Sequence, residues 1–485
     1  MPSNSTARRR RRHGSSLPAS ILLDVKAYVE TRRDATTAVA ETSNKLAIEA
    51  SFCPARPPLP SKLFVFVHGA DVPDPPEILG AAQDLFLIRV AFAVGDGPTT
   101  SATSEFCDYF IYRARRPSLE RIPNPEPIFR GRNLRACLVY GHRLPQLTLG
   151  LTRCGMTNLW RGKLWPPTKH ALSFFGLLPR AGDLYTVAEL SFTSRDLFEL
   201  CRFDSEAGSW TSKAVSLEAP ITFPVEIPTK ASRLRYHITT TVITLGGEAG
   251  TMGWVDLWNG VLLHDMLRED HQDRLRRVPL PLPMDAITCN HGKGAEVGSP
   301  VLCRGIAVFT KSGKVCLKLA ELQNTGERLP YTDAETGWPA FRVDDWSITT
   351  WSNTKMAGAY DDWREDFTVL ASGIKIGDAV RSRLRESGLL QCKRPAPDGE
   401  GGEEEVVELA LQNLAVSEPR PSLNAEDDVV YVMAKTKFMQ KKAWVLAVDM
   451  RSSSLLGVAE FSSGRWPDAD FTYHLGTTRL LPPSI

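Results

Sequence analysis

The chain has 485 residues, 42% of them hydrophobic and 24% charged, with a formal net charge of +2. That composition excludes global disorder and any chain-wide field that would attract nucleic acid or an anionic membrane. Apolar runs such as Leu85–Val94, interrupted by Arg89, fall short of the ~20 residues that cross a bilayer, and nine cysteines without a CxxC pair fit a reducing compartment.

Residues 1–20 read as a disordered tail. Within it Arg8, Arg9, Arg10, Arg11 and Arg12 run unbroken into His13, and no acidic residue comes before Asp24. Residue type alone leaves four uses open for such a run: a nuclear address, a nucleic-acid contact, an organelle transit leader or a solvated tail. Asp24–Arg32 then shows helical spacing, and short strands follow at Leu63–Val67, Leu85–Val94, Asp108–Ala114 and Ala136–Tyr140. Leu184–Leu217 predicts three consecutive antiparallel strands, the last two joined by Ser205-Glu206-Ala207-Gly208-Ser209. Thr239–Leu245 is a further strand, and Asp256–Arg268 a second helix candidate. Arg304–Leu322 predicts a hairpin, because Ser312-Gly313 between two alternating runs supplies the positive φ of a tight turn. Phe341–Trp351, Phe367–Ile374, Val429–Ala434, Trp444–Met450 and Leu455–Phe461 complete the strands.

Groups of three or four strands every ~40–50 residues, often closing on a Trp, predict a mainly β fold. The pattern favours a β-propeller-like body of short antiparallel strands over a sandwich. Residues 21–485 are expected to form one such domain, broken by a disordered acidic insertion at about 393–428, where Pro, Gly and a block of acids bury little apolar surface. Within the insertion Glu403–Val416 has helical spacing, and Val407, Leu411 and Leu414 would lie on one face of a short helix able to dock on a partner.

Motifs for chemistry are incomplete. The strand before His68-Gly69 looks like the approach to an oxyanion loop, but no GxSxG elbow follows anywhere in the chain. His264 and His271 are seven apart, not the four that sets two metal ligands side by side on a helix. Cys289, His291 and Cys303 lack a fourth ligand at regular spacing. "KSGK", "HGKG" and the glycines of Gly246–Gly250 read as turns, since neither a P-loop nor a dinucleotide helix surrounds them. Trp160–His170 interleaves two Trp with Arg161, Lys163 and Lys169 and is either a stacking platform or a core-plugging loop, while Trp346 and Trp351 read as packing residues. No catalytic, cofactor or metal residue is assigned, and no cofactor is expected.

Several blocks resemble one family: Ile21–Ser43, Cys107–Pro125, "GWVDLWNGVLLHDML" at Gly253–Leu267, "LRRVPLPLP" at Leu275–Pro283, and the later "DDVVYVMAK" and "KAWVLAVDMRSSSLLGVAEF". Together they resemble the grass-expanded plant family catalogued as domain of unknown function 1618. The resemblance implies a plant protein related to kelch and F-box-associated propellers, with no family catalytic residues to transfer. Too few residues precede Leu22 for an F-box, so none is expected. In the Trp254-Val255-Asp256-Leu257-Trp258 block, the physical reading is two packing tryptophans, Asp256 capping the turn and Gly260 relieving it.

Two function classes follow. The first is a non-enzymatic, monomeric protein-interaction module of the nucleus or cytoplasm with unknown protein partners and no membrane. The alternatives are an enzyme of unrecognised type with a site at the propeller centre, and a nucleic-acid-associated protein using the Arg run.

Overall fold

A sheet clamped between two other sheets has no solvent face, so both alternating sets of its side chains must be apolar. The computed structural model shows that condition repeated around a ring. It describes residues 17–70, 72, 74–92, 107–125, 174–194, 196–268, 273–395, 404–424, 426–437, 440, 442–462 and 475–480.

Blade I holds β1 (Ser20–Asp24), β2 (Tyr28–Val29), β3 (Ala38–Glu41), β4 (Ala47–Cys53) and β5 (Lys62–Val67). Blade II is the meander β6 (Glu77–Ala82), β7 (Leu85–Ala91), β8 (Cys107–Arg113) and β9 (Ser118–Ile122). Blade III is β10 (Phe175–Pro179), β11 (Tyr185–Ser194), β12 (Leu197–Asp204) and β13 (Ser209–Leu217), and blade IV is β14 (Thr241–Gly246), β15 (Thr251–Asp256), β16 (Gly260–Asp265) and β17 (Arg274–Pro279). A short helix, α1 (Met284–Thr288), leads to blade V: β18 (Arg304–Lys311), β19 (Lys314–Thr332), β20 (Pro339–Asn353) and β21 (Trp363–Leu370). Then come β22 (Lys375–Ile376), α2 (Asp378–Ser387) and the hairpin β23 (Gln391–Pro395) with β24 (Glu404–Glu408). Blade VI is β25 (Ala415–Pro421), β26 (Val429–Lys435), β27 (Lys442–Asp449) and β28 (Ser454–Ser462), and β29 (Leu475–Arg479) is the last strand.

The ring closes through the two ends of the described chain. β29 pairs antiparallel with β1, Ser20 opposite Arg479 and Asp24 opposite Leu475, so the last strand becomes the innermost strand of blade I. The innermost strands β6, β10, β14, β18, β25 and β29 touch one another in that cyclic order, which makes a six-bladed propeller. Blades V and VI pack backbone to backbone at Gly305, where a Cβ would lie 1.7 Å from the Pro419 carbonyl oxygen.

Each gap between blades is filled by its own apolar cluster. In β7, Phe86, Ile88 and Val90 pack towards blade I while Leu85, Leu87 and Ala91 pack towards blade III. Val430 and Val432 of β26 face blade V, and Met433 faces blade I. Such period-2 sharing turns inner strands into unbroken apolar runs, and this accounts for the run at Leu85.

The strands expected from sequence at β5, β7, β8, β14, β20, β21, β26, β27 and β28 are present, as are the three around Leu184–Leu217 and the Ser312-Gly313 hairpin between β18 and β19. Ala136–Tyr140 lies outside the described residues. All three helix expectations fail. Residues 24–32 end β1 and form β2, which runs parallel to β5. Asp256–Arg268 is a hairpin, because Trp258-Asn259 turn the chain between β15 and β16. Glu403–Val416 is β24, a 3₁₀ turn and the start of β25. At Asp256–Arg268 an apolar run buried on both faces, Val261–Leu263, imitated helical spacing. The expected acidic excursion is likewise corrected over 404–424, where β25 supplies the innermost strand of blade VI.

Candidate functional site

The Trp254–Gly260 block is a structural knot. Asp256 is fully buried, and its Oδ2 accepts hydrogen bonds from Arg233 Nη1 (2.9 Å) and the Ile238 amide (2.7 Å), while Oδ1 accepts from the Trp258 amide (3.0 Å). Asn259 ties the same excursion through the Leu234 carbonyl, and Arg277 donates to both Asn259 and the Tyr360 hydroxyl. Arg304, also fully buried, stacks over Trp258 at 4.7 Å and donates to the Leu257 and Pro281 carbonyls and to Glu321. Gly260 is needed for room, since a Cβ there would sit 2.7 Å from the Val278 carbonyl oxygen. The charged groups of this block are therefore engaged with one another. His237 packs edge-on to Phe198 beside them, and burial pushes its pKa down to about 4.

The other sequence candidates are scattered. His68 Nε2 lies 2.7 Å from Glu49 Oε1, and the Glu49 carboxyl is held down to about 2, first by the Arg33 hydrogen bond and then by His68; this is an ion-pair cluster on β4 and β5. His264 Nδ1 meets the Arg274 carbonyl at 3.2 Å, and His271 lies outside the described residues. Burial pushes the Cys303 thiol up to about 12, whereas His291 is exposed. Among the described residues no three His, Cys, Asp or Glu side chains converge as metal ligands would. Trp346 is buried between blades V and VI with its indole N–H on the Leu411 carbonyl (3.0 Å), and Trp351 packs between blades IV and V.

Leu411 and Leu414, expected on an exposed docking helix with Val407, are buried in the cluster between blades V and VI. Val407 is in β24, opposite Cys392. Leu411 belongs to a 3₁₀ turn instead, so no docking helix forms. Arg8, Arg9, Arg10, Arg11 and Arg12, and the Trp160–His170 stretch, lie outside the described residues.

A cleft of about 410 Å³ opens where blade VI meets blade I, lined by Pro57, Pro58, Glu426, Asp427, Asp428, Val429, Tyr431, Ala447, Asp449, Arg451 and Leu456. Blade I contributes the loop between β4 and β5. Blade VI contributes the turn into β26 and the turn between β27 and β28. Burial alone would raise the Asp428 carboxyl, but hydrogen bonds from Lys318 (2.8 Å) and Arg451 (2.6 Å) outweigh it and hold the group below its ordinary range. Asp449 accepts from the Arg451 amide and the Ser452 hydroxyl. Glu426 and Asp427 are exposed and meet no cation at ion-pair distance among the described residues. Leu456 is 51% exposed and Leu59, beside the two prolines, 45%. Sequence reading missed this cleft because residues 57, 426 and 456 have no shared local pattern; only ring closure brings them together.

The seam between blades VI and I also carries polar contacts. Glu418 holds a left-handed backbone (φ 53°) at a bulge in β25, and its carboxylate accepts the Leu475 amide (3.1 Å) from β29 and Arg420 (3.5 Å). Arg479 donates to the Leu423 carbonyl. Burial pushes the nearby Lys435 down to about 8, opposed by Glu418.

With this geometry established, comparison adds a family match. Residues 254–431 match the family described as protein of unknown function (DUF1618). The matched stretch starts at the Trp254 knot and ends at Tyr431 in the cleft wall, so it spans blade V and the turn into β26, while Arg233 of the knot and Asp449, Arg451 and Leu456 of the cleft lie outside it. No curated protein matches the chain. Among solved structures, a mutant of the Synechocystis apocarotenoid oxygenase aligns at 7% identity over 96% of this chain and 93% of that one, with a TM-score of 0.26. A glycosyl hydrolase from Bacteroides ovatus aligns at 9% identity over 92% and 96% (TM-score 0.24), and an ancestral GH74 enzyme at 8% over 88% and 55% (TM-score 0.27). Superpositions this loose carry no argument about activity.

Proposed function

We propose that this chain is a monomeric protein-interaction module, working in the nucleus or cytoplasm, that takes a basic and partly apolar segment of another protein in the cleft between blades VI and I. The observation that carries this reading is the combination of unneutralised Glu426 and Asp427 with Pro57, Pro58 and exposed Leu456 around one concave surface. Carboxylates at the rim attract Lys and Arg and set orientation, while the prolines and Leu456 bury the apolar stems of those side chains. Six blades locked by separate apolar clusters hold the two walls in place, which lowers the ordering cost of binding.

A fluorescent peptide alternating Lys and Leu tests the reading. It is expected to bind the chain, to weaken with added salt, and to bind at least tenfold more weakly to Glu426→Lys/Asp427→Lys. Equal binding to the charge-reversed protein removes the cleft from consideration.

A further inference from the structure

We propose that the cleft is occupied in cis by this chain's own Arg8–Arg12 run, so that the leader competes with any basic partner segment. The inference rests on the cleft reading above and adds to it an identified first occupant.

Chain direction supplies the first argument. Leu17 is the first described residue and leads into β1, whose Ser20 lies opposite Arg479 at the end of β29. β5 runs parallel to β1, with Leu23 bridged to Ser61, so the Pro57-Pro58 loop opens at the same end of the propeller as Ser20. Arg479 donates to the carbonyl of Leu423, just before the acidic turn of blade VI. The leader therefore enters the fold on the face where the cleft opens.

Reach is the second argument. Arg12 stands five positions before Leu17 and Arg8 nine, offsets that at extended length span about 17 Å and about 30 Å. Pro58 of the cleft lies on the loop that leads to Ser61, which is bridged to Leu23 three residues after Ser20, so the cleft wall begins close to where the leader joins β1. A tether this short holds the run at an effective concentration on the order of millimolar.

Charge is the third. The run places five guanidinium groups in sequence with no acid before Asp24. In the cleft Asp428 is already matched by Lys318 and Arg451, which leaves Glu426, Asp427 and the turn-capping Asp449 as the negative wall. Guanidinium forks bind carboxylates in pairs, and their planes stack against proline and leucine surfaces.

The test uses a fluorescein-labelled peptide of residues 1–16 as the probe, added to the full chain and to a chain lacking residues 2–14. The shortened chain is expected to bind it at least tenfold more tightly than the full chain, and Glu426→Lys/Asp427→Lys in the shortened chain to abolish binding. The milder Glu426→Gln/Asp427→Asn should weaken it severalfold with an unchanged melting temperature, which separates lost binding from lost folding. Equal affinity for full and shortened chains overturns occupancy in cis while leaving the cleft as a site for basic segments. Binding that charge reversal does not weaken also overturns it, by putting the run elsewhere. If the shortened chain ignores residues 1–16 yet binds the Lys-Leu peptide, only this inference falls; if it binds neither, the cleft reading falls with it.

Discussion

The interfaces on the two sides of blade VI differ in the apolar filling that the described residues supply. Towards blade V, Trp346, Ile348, Leu411, Leu414, Trp444 and Leu446 belong to a cluster of 22 buried apolar residues among the described ones. Towards blade I the corresponding cluster has six among the described residues: Leu22, Met433, Ala443, Val445, Phe461 and Leu475. Both interfaces also carry polar contacts: at the first the Trp346 indole donates to the Leu411 carbonyl and Lys318 to Asp428, and at the second Glu418 accepts the Leu475 amide and Arg479 donates to the Leu423 carbonyl. A propeller closed by its chain ends has one joint whose neighbours are far apart in sequence. The cleft lies on this seam, between the Pro57-Pro58 loop of blade I and the turns of blade VI.

The sharpest way to break that comparison is to empty the thick interface. Trp346→Ala removes a buried indole and leaves the Leu411 carbonyl without its donor, so a loss of about 4 kcal/mol is expected from denaturant unfolding. A loss below about 1 kcal/mol would mean that apolar area does not govern this interface.

At the seam, the largest single effect should come from Glu418. Glu418→Ala leaves Arg420 buried without its carboxylate and frees the Leu475 amide, for an expected loss of about 3 kcal/mol. Glu418→Gly loses the same contacts but relieves the left-handed backbone, so it should retain about 1 kcal/mol relative to Ala. If the two variants unfold at the same denaturant concentration, the backbone at this bulge is not strained.

How much of this was readable beforehand follows from the same contrast. Alternating runs at β11 to β13 and the Ser312-Gly313 turn are local signals, and they predicted strands that exist. Asp256 was legible as a turn cap because its amide partner, Trp258, is two residues away. Where a segment is apolar on both faces, as at Val261–Leu263, local spacing cannot separate helix from clamped strand. Leu411 and Leu414 misled for a related reason: they are spaced for one helical face, but a 3₁₀ turn directs both into the core. The cleft depends on ring closure, which no segment announces.

Two pH responses should map onto different regions. His237, beside the Asp256 knot, has its pKa pushed by burial from 6.5 to about 4. The unfolded chain therefore binds the extra proton between those values, and stability falls as pH drops from 6.5 towards 4, by on the order of 1–2 kcal/mol at pH 5. At the seam, burial moves Lys435 from 10.5 to about 8; the folded state disfavours its charged form, so stability rises with pH across that window. Unfolding measured against pH should lose the acidic slope in His237→Gln and the alkaline slope in Lys435→Met. Interchange of the two effects would show that the assignments to knot and seam are wrong.

The smallest expected change in stability is at Leu456, and it separates the two halves of the cleft. Its side chain is half exposed, so Leu456→Ser should alter unfolding by no more than about 0.5 kcal/mol. A bound Lys-Leu peptide would cover that surface, and losing the contact should weaken binding by about 1 kcal/mol, roughly fivefold. Apolar contact does not depend on counter-ions, so the salt dependence of binding should keep its slope in Leu456→Ser and flatten in Glu426→Gln/Asp427→Asn. If both variants flatten it equally, the peptide is held by charge alone, and Pro57, Pro58 and Leu456 shape the cleft without gripping what enters it.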